Sequence, residues 1–374
     1  MRKIEMVDLK SQYNNIKKDI DEAIDQVIKS GVFIKGETVN KFQTNLESFL
    51  NVKNVIPVGN GTDALRVSLL SMGLRPGDEI ITPTFTFVAT AEVAASIGCT
   101  PVLVDIDENT FCMSPQSVEN AITEKTKVIV PVQLFGQNCD MEALENIAQR
   151  HHLHIIEDAC QSIGSVYIDK IGIKKQSGTI GKCGCTSFFP SKNLGCYGDG
   201  GAIFTDDDNL AYEMRSIANH GMTERYHYER IGLNSRLDAI QAAILNVKLK
   251  HLNEYTQKRQ KAALIYDQLL SSSQDIIRPY RASYSTHVFH QYTIKLPASR
   301  RDHIKTKLNE SGIPAMIYYP IPLHLQKPYS DNRYNFDSFK NAEEASKTVL
   351  SIPMHTELDE EQQEHIIKTI LTNL

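Results

Sequence analysis

The chain lacks several things that would have placed it at once. It has no long apolar run: its apolar stretches are as short as VIVPV at 128–132, far below the roughly 20 residues a membrane-spanning helix needs. The opening MRKIEMVDLK carries no apolar h-region, so no secretory signal is expected. Lysine and arginine are never clustered among aromatics, and the formal net charge is −5. Nucleic acid and membrane surfaces are therefore not expected partners. Cysteine is odd in number, seven in all and scattered, with Cys183 and Cys185 too close for a CxxC clip. That usage predicts reduced thiols and a cytoplasmic protein. The glycine turn at 59–61 is not GxGxxG, and GxxxxGK[ST] is absent. A dinucleotide dehydrogenase and a P-loop NTPase are disfavoured on that ground. No metal site is expected either: RHHLH at 150–154 reads as a solvated helix end before a strand. Internal repeats and low-complexity segments are missing.

What remains is ordinary in composition and informative in order. The chain has 374 residues, 41% hydrophobic and 23% charged, enough for about two domains with a large core. Apolar residues at helical spacing predict one amphipathic helix over 11–30, and a second over 37–50. From residue 54 strands alternate with helices: NVIPV, then TDALRVSLL; DEIITPTFTF, then VATAEVAASIG; TPVLVDID; TKVIVPVQLF; MEALENIAQRH, then LHIIEDA. Strands apolar on both faces, separated by helices, predict an α/β fold with a mainly parallel sheet covered on both sides. CTSFF and GAIFTDD follow, joined by a glycine-rich stretch. Between Leu233 and Arg278 there is no glycine or proline, which predicts a long helix or a bent pair. The expected division is a large domain over 1–248 and a smaller C-terminal α/β domain over 249–374.

Three local features carry chemistry. In VGNGTDALR a strand ends at Val58 and a helix begins near Thr62. Backbone N–H groups at such a helix start bind phosphate, and Thr62 adds a hydroxyl. Gly61, Thr62 and Asp63 are the candidate ligands, although the turn also reads as a helix capped by Thr62 or Asp63. In HIIEDACQS a buried strand delivers Asp158 to its carboxyl end, where ligands sit in open α/β sheets. A carboxylate there needs a cationic partner, or else caps the next helix. In FFPSKNLGCYGDGGA, Lys192 stands between two phenylalanines and glycines 195, 198, 200 and 201. Phosphate cradle, strand-end aspartate and enclosed lysine together fit pyridoxal 5′-phosphate, which needs an anion site, a carboxylate for its ring nitrogen and an amine for its aldehyde. Lys192 and Asp158 are the catalytic candidates.

At this point the sequence resembles the DegT/DnrJ/EryC1/StrS sugar aminotransferases. NGTDAL, PTFTFVATA, IEDACQS, CTSFFPSKNLGCYGDGGA, HG at 220–221, GLNSRLDAIQAA and YYPIPLH fall in family order over essentially the whole chain. The resemblance implies the fold type I (aspartate aminotransferase-like) architecture. It also implies cofactor-binding roles for Gly61, Thr62, Phe87, Asp158, Gln161, Ser187 and Lys192. Asn234 resembles a phosphate ligand from the other subunit, which implies a homodimer with shared active sites. Arg236, Tyr318, Tyr319 and His324 fall in segments that the family uses near the sugar nucleotide. The pattern is most similar to the UDP-2-acetamido-2-deoxy-3-oxo-glucuronate aminotransferases, with L-glutamate as donor, C3 as acceptor and surface polysaccharide as destination. Where the family commonly has HYP, this chain has Tyr318, Tyr319 and Pro320, which leaves the substrate's C6 group open. The alternatives are a dTDP-keto-6-deoxyhexose aminotransferase, a sugar 3-dehydratase, which Lys192 argues against, and a binding or sensor protein on the same fold.

Overall fold

The computed structural model describes residues 2–374. Its centre is a sheet of seven strands: β1 (Asn54–Val58), β2 (Glu79–Pro83), β3 (Thr100–Val104), β4 (Thr126–Ile129), β5 (His154–Asp158), β6 (Cys183–Ser187) and β7 (Gly201–Thr205). Their order is β1-β7-β6-β5-β4-β2-β3. Strand β7 runs antiparallel to both its neighbours, and the other pairs are parallel. Successive side chains on a strand point to opposite faces. Ile80, Val128 and Ile156 accordingly enter one core with Leu65 and Val67. Ile81, Ile129 and Ile155 enter the opposite core with Leu144 and Ile147. Burial on both faces explains why these strands read as apolar runs rather than as alternating patterns.

This topology places the carboxyl ends of β1, β5 and β6 on one edge. Gly201, at the start of β7, pairs with both Val58 and Ser187 there. A side chain at Gly201 would come within 2.5 Å of the Asn60 backbone. The glycine therefore lets the turn after β1 lie against the end of β6.

Two helix expectations resolve in the structure. The long glycine-free segment is a bent pair, Ala239–Leu249 and Leu252–Leu269. The single helix expected over 11–30 is instead two, Leu9–Asn15 and Lys17–Ser30. They break at Ile16, whose φ of −121° leaves the helical region. Ile16 is buried beside Ile20, Ile244 and Val247, so tertiary packing wins over local periodicity.

A further core gathers Tyr266, Tyr292, Ile294, Ile304, Leu350 and Ile366 around a two-stranded antiparallel sheet, β8 (Tyr292–Lys295) and β9 (Val349–Ile352). Ile4 from the start of the chain packs into this same core. Among the described residues no helix is long and apolar enough to cross a membrane, and all seven cysteines are free.

Candidate active site

A cavity of about 370 Å³ opens at the carboxyl edge of the sheet. The helix Gly61–Leu70 begins on its wall. Its N-cap is Asn60, whose side chain accepts from the Asp63 N–H at 2.8 Å, so neither Thr62 nor Asp63 is the cap. The N–H groups of Gly61 and Thr62 come before the first intrahelical bond and are left for another acceptor. Gly61 is obligatory there: a Cβ would stand 2.8 Å from Ser187 Cβ and 3.0 Å from Cys160 Sγ. Ser187, at the end of β6, completes this corner of the cavity. Its hydroxyl accepts from the Phe189 N–H at 3.2 Å.

Asp158 ends β5 and is nearly enclosed, 6% exposed. Burial raises its pKa, while a hydrogen bond from the Cys160 N–H at 3.1 Å and the charge of Lys192 oppose the rise. Lys192 faces the cavity and is half-buried. Burial lowers its pKa, and the nearby Cys160 and Asp158 act the other way. An amine whose charged form is disfavoured is more often unprotonated near neutral pH, and so available as nucleophile and proton acceptor. Gln161 joins two walls: its Oε1 accepts from the Phe135 N–H at 2.8 Å, and its Nε2 donates to Tyr319 Oη at 3.3 Å. Phe87 and Tyr318 also line the cavity, with Phe87 58% exposed.

Four candidates lie outside this lining. Asp63 accepts from Ser235 Oγ at 2.7 Å, which ties the helix start to the segment carrying Asn234 and Arg236. Asn234 and Arg236 themselves do not reach the cavity of their own chain. His324 is buried, with Nδ1 2.9 Å from Thr84 Oγ1 and Nε2 3.2 Å from Glu343. It braces the strand end that leads to Phe87 rather than touching the cavity. RHHLH is a helix end: His151 pairs with Glu119 at 2.8 Å, and His152 is the left-handed cap.

Sequence reasoning missed His290. It lines the cavity and is 5% exposed, and its Nδ1 is enclosed without a partner. Burial, reinforced by the charges of Lys192 and Arg259, keeps its imidazole neutral. No motif marks it, because it arrives from far along the chain. Gly136, at φ 115°, allows the approach: a Cβ there would lie 2.9 Å from the His290 backbone nitrogen.

A dianion cradle that admits only glycine, an enclosed carboxylate and an amine of reduced basicity fit pyridoxal phosphate, group for group. Comparison with known proteins agrees. The family model for the DegT/DnrJ/EryC1/StrS aminotransferase family matches residues 14–371. A "Pleiotropic regulatory protein" of Geobacillus stearothermophilus is 46% identical over 98% of this chain and 97% of its own length. The UDP-2-acetamido-2-deoxy-3-oxo-D-glucuronate aminotransferase of Pseudomonas aeruginosa is 44% identical over 95% of this chain and 96% of its own. A DegT DnrJ EryC1 StrS aminotransferase from Brucella abortus has the same fold, with a TM-score of 0.93, 38% identity and 99% of each chain covered. Solved neighbours include pyridoxal-phosphate and pyridoxamine-phosphate forms. The fold is thus pyridoxal-phosphate fold type I and the cofactor pyridoxal 5′-phosphate, and the chain belongs to the DegT/DnrJ/EryC1/StrS aminotransferase family.

Proposed function

We propose that this aminotransferase moves an amino group from L-glutamate to the C3 keto carbon of a UDP-linked 2-acetamido-2-deoxy sugar, in the cytoplasm, for surface polysaccharide. The observation that carries the chemistry is the convergence of Lys192, Asp158 and the Gly61 helix start on one cavity. The sugar is read from the Pseudomonas relative, whose name specifies a 3-oxo-glucuronate.

In this reading the N–H groups of Gly61 and Thr62 and the hydroxyls of Thr62 and Ser187 hold the phosphate. Asp158 would keep the ring nitrogen of the bound cofactor protonated, Gln161 would serve its phenolic oxygen, and Phe87 would cover the ring. Bound pyridoxal phosphate supplies an electron sink. Lys192 Nζ takes the proton from the donor's α-carbon and, in the second half of the cycle, returns one to the sugar carbon. Positioned proton transfer of this kind contributes roughly 10²–10⁴ in rate. Tyr318 and Tyr319 face the sugar, and His324 acts at a distance through Thr84.

The cavity of one chain is short of positive charge. Among its described lining residues there is no arginine, and Lys192 is the single ammonium. A phosphate, a nucleotide diphosphate and a dicarboxylate need more. Asn234 and Arg236 of a second copy answer that need in a homodimer with shared sites. Val32, Phe33 and Ile34 support the pairing: they are 49%, 46% and 42% exposed, and Ile34 bridges to Asp238 beside that segment. A contiguous exposed apolar strip of this kind marks an interface. The same reading takes 1–248 as the cofactor-holding domain and 249–374 as the smaller one, with the Ile4 segment added to the latter. The Geobacillus relative's regulatory name favours a binding role; an intact Lys192–Asp158 site favours catalysis.

A panel of 3-keto and 4-keto sugar nucleotides, UDP- and dTDP-linked, incubated with glutamate and read by mass spectrometry tests the assignment. The keto-to-amine mass change is expected with the UDP-2-acetamido-3-keto sugar. Conversion of a 4-keto or dTDP sugar alone would overturn it.

A further inference from the structure

Behind the cavity lies an ammonium with no part in the chemistry above. Lys248, on the helix Ala239–Leu249, is 1% exposed. Its Nζ donates to the Gly195 carbonyl at 2.7 Å and stands 4.4 Å from the Tyr197 ring centroid. Burial lowers its pKa to about 8, partly offset by neighbouring Cys196, so it is charged at neutral pH. No carboxylate pairs with it among the described residues. A buried charge held only by a carbonyl and a ring face costs several kcal/mol that an apolar residue of the same length would not. Departures of this kind from good packing concentrate where function demands them.

The partner of that charge is the turn that carries Lys192. The turn closes on itself through Lys192 N–H to Phe189 O and Cys196 N–H to Phe188 O, both 2.8 Å. Gly195 must be glycine, since a Cβ would sit 2.4 Å from the Pro190 carbonyl. Glycine also removes the stiffness that a side chain would give the turn. One helical face supplies the missing constraint twice. Gln241 Oε1 accepts from the Tyr197 N–H at 2.9 Å, and Lys248 holds Gly195 two turns further along.

We propose that Lys248, together with Gln241, is a positioning residue for Lys192: the pair clamps the Lys192 turn from behind, so that the amine meets the cavity in one place. The proposal takes from the functional reading only that Lys192 is the working amine. The clamping helix begins just after Arg236, so it also links the Lys192 turn to the segment assigned to the second copy's site.

The test is Lys248→Met in the full chain, with amide hydrogen exchange over residues 188–200 as the primary measure. Opening of the turn is expected to speed exchange there about tenfold, with other peptides unchanged. The melting temperature should hold or rise, because a buried charge has gone. If Lys248 only filled the core, Met of the same length would fill it equally, and exchange over 188–200 would stay at the wild-type rate. In cofactor-loaded enzyme, kcat should fall about tenfold with KM little changed, as expected for a misplaced reacting group. A folded Lys248→Met protein with wild-type exchange over 188–200 overturns the proposal. If that variant does not fold, Gln241→Leu decides by the same measurement, and unchanged exchange there overturns it equally. Exchange needs no substrate, so failure of the aminotransfer reading would show separately, as wild-type enzyme that converts no keto sugar.

Discussion

At the residue scale, the cavity sets burial against function for its two ionisable centres. Lys192 titrates below its unfolded value near 10.5 because burial disfavours the ammonium. Between those two values the unfolded chain binds more protons, so the group's contribution makes stability rise with pH in that window. Lys192→Met is expected to abolish this rise and to stabilise the cofactor-free protein by roughly 0.5–2 kcal/mol, the usual gain when a functional residue is relaxed. Urea melts from pH 7 to 10 check the sign. Borohydride treatment of the loaded wild type should fix the cofactor on Lys192; a label on another lysine refutes the assignment. Asp158→Asn is expected to keep the cofactor while kcat drops by about 10² or more, since a neutral amide cannot hold the ring nitrogen protonated. An unchanged kcat would remove Asp158 from the chemistry.

At the scale of elements, the helix Gly61–Leu70 is fitted against β6 with no slack. Alanine normally improves a helix by about 1 kcal/mol over glycine. Here Gly61→Ala would bring a methyl within 2.8 Å of Ser187 Cβ and 3.3 Å of its Cα, and that backbone cannot swing aside. Overpacking of roughly 1–3 kcal/mol therefore wins. The variant should melt lower and bind pyridoxal phosphate more weakly, because the helix start is pushed off the cavity. Calorimetry and cofactor titration measure both; a rise in melting temperature would show that the helix can shift freely.

At the scale of the whole molecule, two properties emerge that no single element has. The first is acid lability. His287 is held near pKa 3 and His355 near 4, chiefly by burial, and His290 well below 6.5. These folded values lie under the unfolded ones, so the unfolded chain binds more protons and stability falls as pH drops from about 6.5. Each such histidine adds up to about 1.4 kcal/mol per pH unit. Buried Glu157 and Asp158, whose pKa values are raised, offset part of this. His287 Nδ1 accepts from the Phe289 N–H at 3.0 Å, a bond that asparagine can replace without titrating. His287→Asn should flatten the acid slope by about one histidine's share; an unchanged slope between pH 4 and 6.5 refutes it. The second is the shared site proposed above. Lys192→Ala should be inactive alone, since neither site has its amine, and a double variant of Asn234→Ala with Arg236→Ala should be weak. Heterodimers made by subunit exchange place both defects in one site and leave the other intact. Activity should then recover toward roughly a quarter of wild type at random exchange, by the symmetry of an isologous dimer. No recovery, with exchange verified on tagged subunits, would put all three residues in one chain's pocket.

The sequence by itself determined the parallel part of the sheet and the residues of the candidate centre, because both are written in near neighbours. Apolar runs of strand length mark β1 to β5, whereas β6, CGCTS, carries no such run, and the segments around Gly61, Asp158 and Lys192 each carry candidate chemistry within a few residues. It also determined that most of the 233–278 segment is helical, leaving the bend and both non-helical ends to packing. Tertiary structure alone decided the rest. It broke the first helix at Ile16, where burial against Ile244 and Val247 outweighs helical periodicity. It moved the helix cap to Asn60, and it turned His324 inward to Thr84 and Glu343, residues 240 and 19 positions away in the chain. His290 entered the cavity and Lys248 came to rest beneath the Lys192 turn by the same means. Their partners, Gly136 and Gly195, are distant in sequence and close in space. Such encounters depend on which backbones can approach, a property of the packed molecule and not of any local pattern.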